Sequence, residues 1–130
     1  MTCRLFAILL FANVAGLYAD SPAALTMSQV EGLLGKPGVY IYDVNVPELW
    51  EGGHLPGAIH IDRPDFRRLL PRDKKSMLVF YCANRLCLAS RAAAEEASRH
   101  GYRHVYVMPE GIFGWMRSGR AAEPVIRSKP

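Results

Sequence analysis

The chain has 130 residues, half of them hydrophobic and 22% charged, with a formal net charge of +4. This length allows one domain, and this composition is typical of a globular protein and excludes a low-complexity chain. A cluster of cations predicts a solvated face or, less readily, a docking patch for an acidic partner. No aromatic residues alternate with these cations to stack bases, so we expect no nucleic-acid partner. The cluster consists of Arg67, Arg68, Arg72, Lys74 and Lys75.

Residues 1–19 have the layout of a secretory signal peptide. Arg4 supplies a short positive region, residues 5–12 are continuously apolar, and small residues follow up to Ala19. The apolar stretch is shorter than the roughly 20 residues of a membrane-spanning helix. We therefore expect cleavage after Ala19 and a periplasmic or secreted mature chain, with membrane contact only if the segment is retained.

Predicted helices and strands alternate along the rest of the chain. Residues 20–25 are predicted to be a linker, and Thr26 with Gln29 forms a capping-box pattern that predicts a short helix. The other predicted strands are 39–43, 58–61, 77–81 and 104–108, and the other predicted helices are 47–50, 66–70, 89–100 and 112–117. This alternation predicts an α/β domain over 26–123, followed by a basic tail, 124–130.

Cys82 directly follows the predicted central strand, 77–81, whose unbroken apolar character indicates burial on both faces. A short loop and then the predicted helix 89–100 come next. Ligands of such sheets bind at the carboxyl ends of the strands. Loop amides and a helix N-terminus there would lower the pKa of the Cys82 thiol and bind an anion. We therefore predict Cys82 as the catalytic nucleophile, with a substrate-binding loop of Ala83, Asn84, Arg85, Leu86 and Cys87.

Two groups of residues, in this order and spacing, resemble the rhodanese family. The first group is 42–44, 48–50 and 53–61, and the second is 79–82, 92–93, 101–102, 105–108 and 111–115. The resemblance implies a rhodanese-like α/β fold with a central parallel five-stranded sheet flanked by helices on both faces. Two positions depart from the family pattern: Asn45 stands where the family usually has Arg, and Cys87 stands where many active members have Arg.

The resemblance also implies a thiosulfate sulfurtransferase-like enzyme. Cys82 would take a sulfane sulfur from a small anionic donor such as thiosulfate, hold it as a persulfide, and pass it to a thiol or cyanide-like acceptor. No cofactor is expected, and the histidines and cysteines show no metal-ligand spacing. Two alternatives stay open: an exported thiol redox protein using Cys82 and Cys87, and a non-catalytic rhodanese-like binding module.

Several loop and edge residues have predicted supporting roles with competing interpretations. Cys87 either resolves an oxidised or persulfidated nucleophile, packs in the interior, or forms a permanent disulfide. Arg85 binds an anionic leaving group or is solvated, and Asn84 caps the following helix or lines the loop. Arg91 faces the pocket or solvent, and Asp43 is expected to organise the edge of the sheet by hydrogen bonding rather than to act in catalysis.

Overall fold

A computed structural model describes residues 21–124. The predicted signal peptide, 1–19, lies outside the described residues, as does the predicted basic tail except for Pro124. None of the helices within 21–124 is both long enough and apolar enough to cross a bilayer.

The centre of the fold is a five-stranded sheet in which every strand pairing is parallel. The strands are β1 Ala23–Ala24, β2 Val39–Asp43, β3 Ile59–His60, β4 Met77–Tyr81 and β5 His104–Val107. Their spatial order is β1-β5-β4-β2-β3, so β4 is the central strand. The predicted rhodanese-like α/β fold with a parallel five-stranded sheet is therefore confirmed.

Within residues 21–124, three α-helices and one 3₁₀ turn connect the strands, and a fourth α-helix follows β5. They are α1 Met27–Leu33, α2 Pro47–Gly52, the 3₁₀ turn Arg67–Leu69, α3 Ala89–Arg99 and α4 Gly111–Arg117. The predicted capping box begins α1: the Thr26 hydroxyl accepts from the Gln29 amide at 3.2 Å, and the Gln29 side chain accepts from the Thr26 amide at 2.9 Å. These reciprocal bonds satisfy two amides that the first helical turn leaves free.

The predicted linker 20–25 is wrong in its second half, because Ala23 and Ala24 form β1. They pair in parallel with Tyr106 and Val107 of β5, and the Leu25 amide donates to the Val107 carbonyl at 2.8 Å. A strand of two residues carries no periodic pattern of its own. It exists because the outer edge of β5 offers unpaired backbone groups to the segment that passes it.

The core consists of two apolar layers, one on each face of the sheet. Phe80 of β4 faces the layer that contains α3, where it packs among residues such as Ala94. Tyr81 faces the opposite layer, where Trp115 of α4 is also buried. Successive side chains of a strand point to opposite faces, so a strand covered on both sides is apolar throughout. This position explains the unbroken apolar run that precedes Cys82.

Candidate active site

Cys82 is held at the carboxyl end of the central strand by two helices. Its side chain is only 2% exposed. The Ser90 hydroxyl, in the first turn of α3, lies 3.4 Å from the Cys82 Sγ and is positioned to donate to it. At the start of α4, the Ile112 amide donates to the Cys82 carbonyl at 2.8 Å and the Phe113 amide donates to the Ala83 carbonyl at 3.0 Å. The sulfur therefore has a fixed position with a hydroxyl donor beside it.

The sulfur of Cys82 is joined to Cys87 in a disulfide, with the two Cα atoms 6.3 Å apart. This separation lies within the range that a disulfide spans without backbone movement. Among the three interpretations of Cys87, the structure therefore excludes simple packing as a free thiol in this state. Reduction of the disulfide is required before Cys82 can act as a nucleophile, because the thiolate is the attacking species.

Asn84 shapes the loop that joins the two cysteines. Its side-chain oxygen accepts from the Leu86 amide at 2.9 Å, and its carbonyl accepts from the Cys87 amide at 3.1 Å. This pattern is an Asx turn. Asn84 thus lines the loop, and the helix-capping alternative is wrong because the N-cap of α3 is Leu88 and makes no side-chain cap. The amides of Leu86 and Cys87, predicted to bind substrate, are bonded within the loop.

Arg85 is tied to α4 by an ion pair. Its guanidinium donates to a carboxylate oxygen of Glu110 at 2.6 Å; the Arg85 side chain is 70% exposed and that of Glu110 is 21% exposed. The two residues border a cavity of about 380 Å³ beside the loop, which Arg117 also lines. The predicted anion ligand Arg85 is therefore engaged by a carboxylate. Arg91 is exposed and makes no ion pair within residues 21–124.

Asp43 ends β2 beside Tyr81, the residue that precedes Cys82. Its carboxylate is fully buried, and its Oδ1 accepts from the Asn45 amide at 2.8 Å. Its Oδ2 finds no hydrogen-bond partner within residues 21–124. Burial raises the pKa of Asp43, and hydrogen bonding to Tyr81 and Asn45 opposes this rise without cancelling it. The hydrogen bond between Asp43 and Asn45 orders the turn that follows β2, at the carboxyl end of the strands.

The Gly-rich loop after α2, residues 53–57, makes packing and backbone contacts with other parts of the fold. The His54 ring stacks on Trp50 with a centroid separation of 3.5 Å, and its backbone pairs with Glu123.

Within the part of the chain that the structure describes, no cluster of three or more His, Cys, Asp or Glu side chains could hold a metal ion.

Sequence reasoning missed two side chains of the site, Ser90 and Glu110. Ser90 follows the loop within the first turn of α3, where a hydroxyl near a helix start is a signal that could have identified it. Glu110 lies 25 residues from Arg85 in the chain, and no local pattern connects them. Their pairing depends on the packing of α4 against the loop.

Comparison with known proteins agrees with this architecture. Over 94 residues the chain is 26% identical to thiosulfate sulfurtransferase GlpE of Tolumonas auensis, covering 70% of this chain and 85% of that protein. Over 85 residues it is 31% identical to thiosulfate sulfurtransferase GlpE of Pseudomonas syringae, covering 63% of this chain and 76% of that protein. The crystal structure of the BH2092 protein from Bacillus halodurans superposes with a TM-score of 0.70 at 21% identity, covering 78% of this chain and 77% of that chain. The Rhodanese-like domain family matches residues 26–118, and the chain therefore belongs to that family.

Proposed function

We propose that the chain is a sulfurtransferase that carries a sulfane sulfur on Cys82 and accepts it from a thiosulfate-like donor. Membership of the rhodanese-like family and similarity to proteins named thiosulfate sulfurtransferase support the class of reaction. The observation that carries the proposal is the position of Cys82 after β4, with the Ser90 hydroxyl 3.4 Å from its sulfur. A hydroxyl donor at that distance stabilises a thiolate more than a neutral thiol.

The first step is a nucleophilic displacement on sulfur. The reduced Cys82 thiolate attacks the outer sulfur of thiosulfate, the S–S bond of the donor breaks, and sulfite leaves with the bonding electron pair. Cys82 is then a persulfide. A small anion suits this site because the first turn of α3 lies beside the sulfur and presents amides with partial positive charge. The amide of Arg85, which has no protein acceptor within residues 21–124, adds a further donor at the loop.

The second step passes the outer sulfur to a thiophilic acceptor, for which a thiol or cyanide is the simplest choice. The acceptor attacks the outer sulfur of the persulfide, and the Cys82 thiolate is the leaving group. Ser90 again stabilises that thiolate. The chemistry of both steps requires no metal and no organic cofactor.

We also propose that the chain acts outside the cytoplasm. The charge and hydropathy of residues 1–19 support export. Disulfides persist in oxidising compartments and are rare in the cytosol, so the Cys82–Cys87 bond is compatible with such a location.

A second candidate, a thiol redox protein, is favoured by that same disulfide. Cys82 and Cys87 would cycle between dithiol and disulfide without carrying additional sulfur. A non-catalytic binding module would be silent with every donor. The three functions differ in what happens to the reduced chain when it meets thiosulfate.

The deciding experiment uses the full chain, reduced, freed of reductant and kept anaerobic. Thiosulfate is added, sulfite is measured, and the chain is digested to locate any added sulfur. We expect one equivalent of sulfite per chain and its loss in Cys82→Ser. Cys3→Ser is the matched control because it removes the other cysteine of the chain and leaves the pair intact. Sulfite release that persists in Cys82→Ser, or none from the reduced wild type, would overturn the proposal.

A further inference from the structure

Cys82 is almost inaccessible to solvent in the disulfide-bonded chain. The Cys82 side chain is 2% exposed, and its sulfur is bonded to the Sγ of Cys87. Cys87 itself is partly exposed, and its neighbours Leu86 and Leu88 are 88% and 72% exposed. A small donor can reach a sulfur that is buried this deeply more readily than a bulky acceptor can. The thiol with direct access to Cys82 is therefore Cys87.

The backbone of the loop is organised to bring that thiol back to Cys82. The Asx turn at Asn84 reverses the chain, with its two bonds of 2.9 Å and 3.1 Å ending on the amides of Leu86 and Cys87. The Ala83 carbonyl is fixed by the Phe113 amide at 3.0 Å, which anchors the other end of the turn. Hydrogen bonds other than the disulfide therefore also hold the loop in the conformation that places Cys87 beside Cys82.

We propose that Cys87 is the resolving thiol of the Cys82 persulfide, so that the chain converts the sulfane sulfur of its donor into hydrosulfide. This inference rests on the proposed function, since it begins from the persulfide. The Cys87 thiolate attacks the inner sulfur, which is the Sγ of Cys82. The Cys82–Cys87 bond forms, the bond to the outer sulfur breaks, and the outer sulfur leaves with the electron pair. It takes up the proton that the Cys87 thiol released on ionising, and departs as HS⁻.

The two steps balance with sulfite, hydrosulfide and an intramolecular disulfide as products. Donor sulfur is reduced from the sulfane state to sulfide, and the two electrons come from the cysteine pair. Return to the dithiol requires a dithiol reductant, which is oxidised to its own disulfide. Such a reductant attacks Cys87 first, because Cys87 is the more exposed sulfur. Cys82 then leaves as the thiolate that Ser90 stabilises.

A single turnover without any added acceptor tests this inference. The full chain is reduced, the reductant is removed under anaerobic conditions, and thiosulfate is added. Sulfite, sulfide and the mass of the chain are then measured. We expect equal amounts of sulfite and sulfide, and a chain that ends as the Cys82–Cys87 disulfide. In Cys87→Ser the reaction stops after the first step, with sulfite released and the sulfur retained on Cys82. Cys3→Ser is the control that behaves as the wild type.

Each other outcome has a distinct meaning. Sulfite release with a stable persulfide and no sulfide in the wild type would overturn the resolving role of Cys87 and leave the proposed sulfurtransferase intact. Equal sulfide release from Cys87→Ser would also overturn it, because the sulfide would then arise by another route. Absence of sulfite from the wild type and from Cys87→Ser would overturn the proposed function, and the resolving step with it.

Discussion

The backbone of Gly111 lies directly against the carbonyl group of Ala83. A Cβ atom added to Gly111 would stand 2.5 Å from both the carbon and the oxygen of that carbonyl. Gly111 also has a φ of +63°, in the left-handed region that favours glycine. The next two amides, of Ile112 and Phe113, bind the Cys82 and Ala83 carbonyls. Gly111 is therefore the contact through which α4 fixes the cysteine loop.

Gly111→Ala is expected to displace the loop and abolish sulfur transfer. The backbone strain and the clash with a carbonyl should together lower the free energy of unfolding by about 3 kcal/mol. Urea denaturation of the oxidised chain measures the stability, and sulfite release measures the activity. Gly119→Ala is the matched control, because Gly119 has a φ of +81° but no atom within 4 Å of an added Cβ. It should cost about 1 kcal/mol and retain activity. Equal effects of the two substitutions would contradict the role of Gly111 in fixing the cysteine loop.

Ser90→Ala is expected to slow reactions of the Cys82 thiolate. The Ser90 hydroxyl is placed to donate to the sulfur at 3.4 Å, and a hydrogen bond to a charged acceptor contributes about 1.5 kcal/mol or more. Alkylation of the reduced Cys82 at neutral pH should therefore slow by roughly tenfold. The measurement uses a Cys87→Ser background, so that only Cys82 of the pair reacts, and peptide mapping separates its product from that of Cys3.

The control for Ser90 lies on the same helix. Ser98 makes its hydroxyl bond to the Ala94 carbonyl at 3.1 Å, far along α3 from the sulfur. Ser98→Ala removes a hydroxyl from α3 without touching the site, so the alkylation rate of Cys82 should stay unchanged. A similar slowing in both variants would indicate a general effect on α3 instead of a bond to the thiolate.

The strand, the cysteine and the following helix were predictable because each depends on neighbouring residues. The apolar run 77–81 marks a strand covered on both faces, and the capping box at Thr26 identifies the start of α1 from four consecutive positions. The start of α3 was predictable from the alanine-rich stretch that follows the loop, although α3 has no side-chain cap. These signals also placed Cys82 at the carboxyl edge of the sheet, where the structure has it.

Contacts between distant segments could not be predicted in the same way. β1 forms only because β5 presents a free edge, and its two residues carry no pattern that distinguishes a strand from a linker. The pairing of Arg85 with Glu110 and the contact of Gly111 with Ala83 both arise when α4 docks on the loop. The sequence thus indicated the position of Cys82 and its loop, while the residues that hold them depended on the tertiary packing.

Glu110→Gln is expected to strengthen binding of an anionic donor. The substitution removes a negative charge beside the loop and releases Arg85 from its 2.6 Å ion pair. At the surface, one charge at this range changes binding by roughly two- to fivefold, so the KM for thiosulfate should fall by about that factor. Stability should change by less than about 1 kcal/mol, since Arg85 is largely exposed. Sulfite release across a range of thiosulfate concentrations gives the KM.

A second carboxylate offers the control for this electrostatic prediction. Glu31 on α1 pairs with Arg120 at 2.8 Å, a similar contact remote in sequence from the cysteine loop. Glu31→Gln carries the same change of net charge and should leave the KM unaltered. A KM that rises in Glu110→Gln would mean that the carboxylate, and not the arginine, helps to hold the donor.

Asp43 gives a prediction about stability and pH. Burial raises its pKa above the ordinary value of 3.8, so the folded chain holds this proton more tightly than the unfolded chain does. The contribution of this group to stability is therefore largest below that value and is lost as the pH rises through the folded-state pKa. Asp43→Asn has no carboxyl group to ionise, so the variant does not lose stability at this position as the pH rises. Its free energy of unfolding should exceed that of the wild type at neutral pH, by about 1 kcal/mol, and the difference should shrink on acidification.

Asp62 supplies a control of opposite sign. A hydrogen bond from Arg63 lowers the pKa of the Asp62 carboxylate, which is exposed. A depressed folded-state pKa stabilises the folded chain above the ordinary pKa, and this stabilisation is lost as the pH falls through the depressed value. Asp62→Asn should therefore fall slightly below the wild type in stability as the pH increases, whereas Asp43→Asn rises above it. Urea denaturation at several values between about pH 2.5 and pH 7 distinguishes them. A stability difference between Asp43→Asn and wild type that did not vary with pH would contradict this prediction. It would mean that Asp43 binds its proton equally tightly in the folded and unfolded chains, although its carboxyl group is buried in the folded chain.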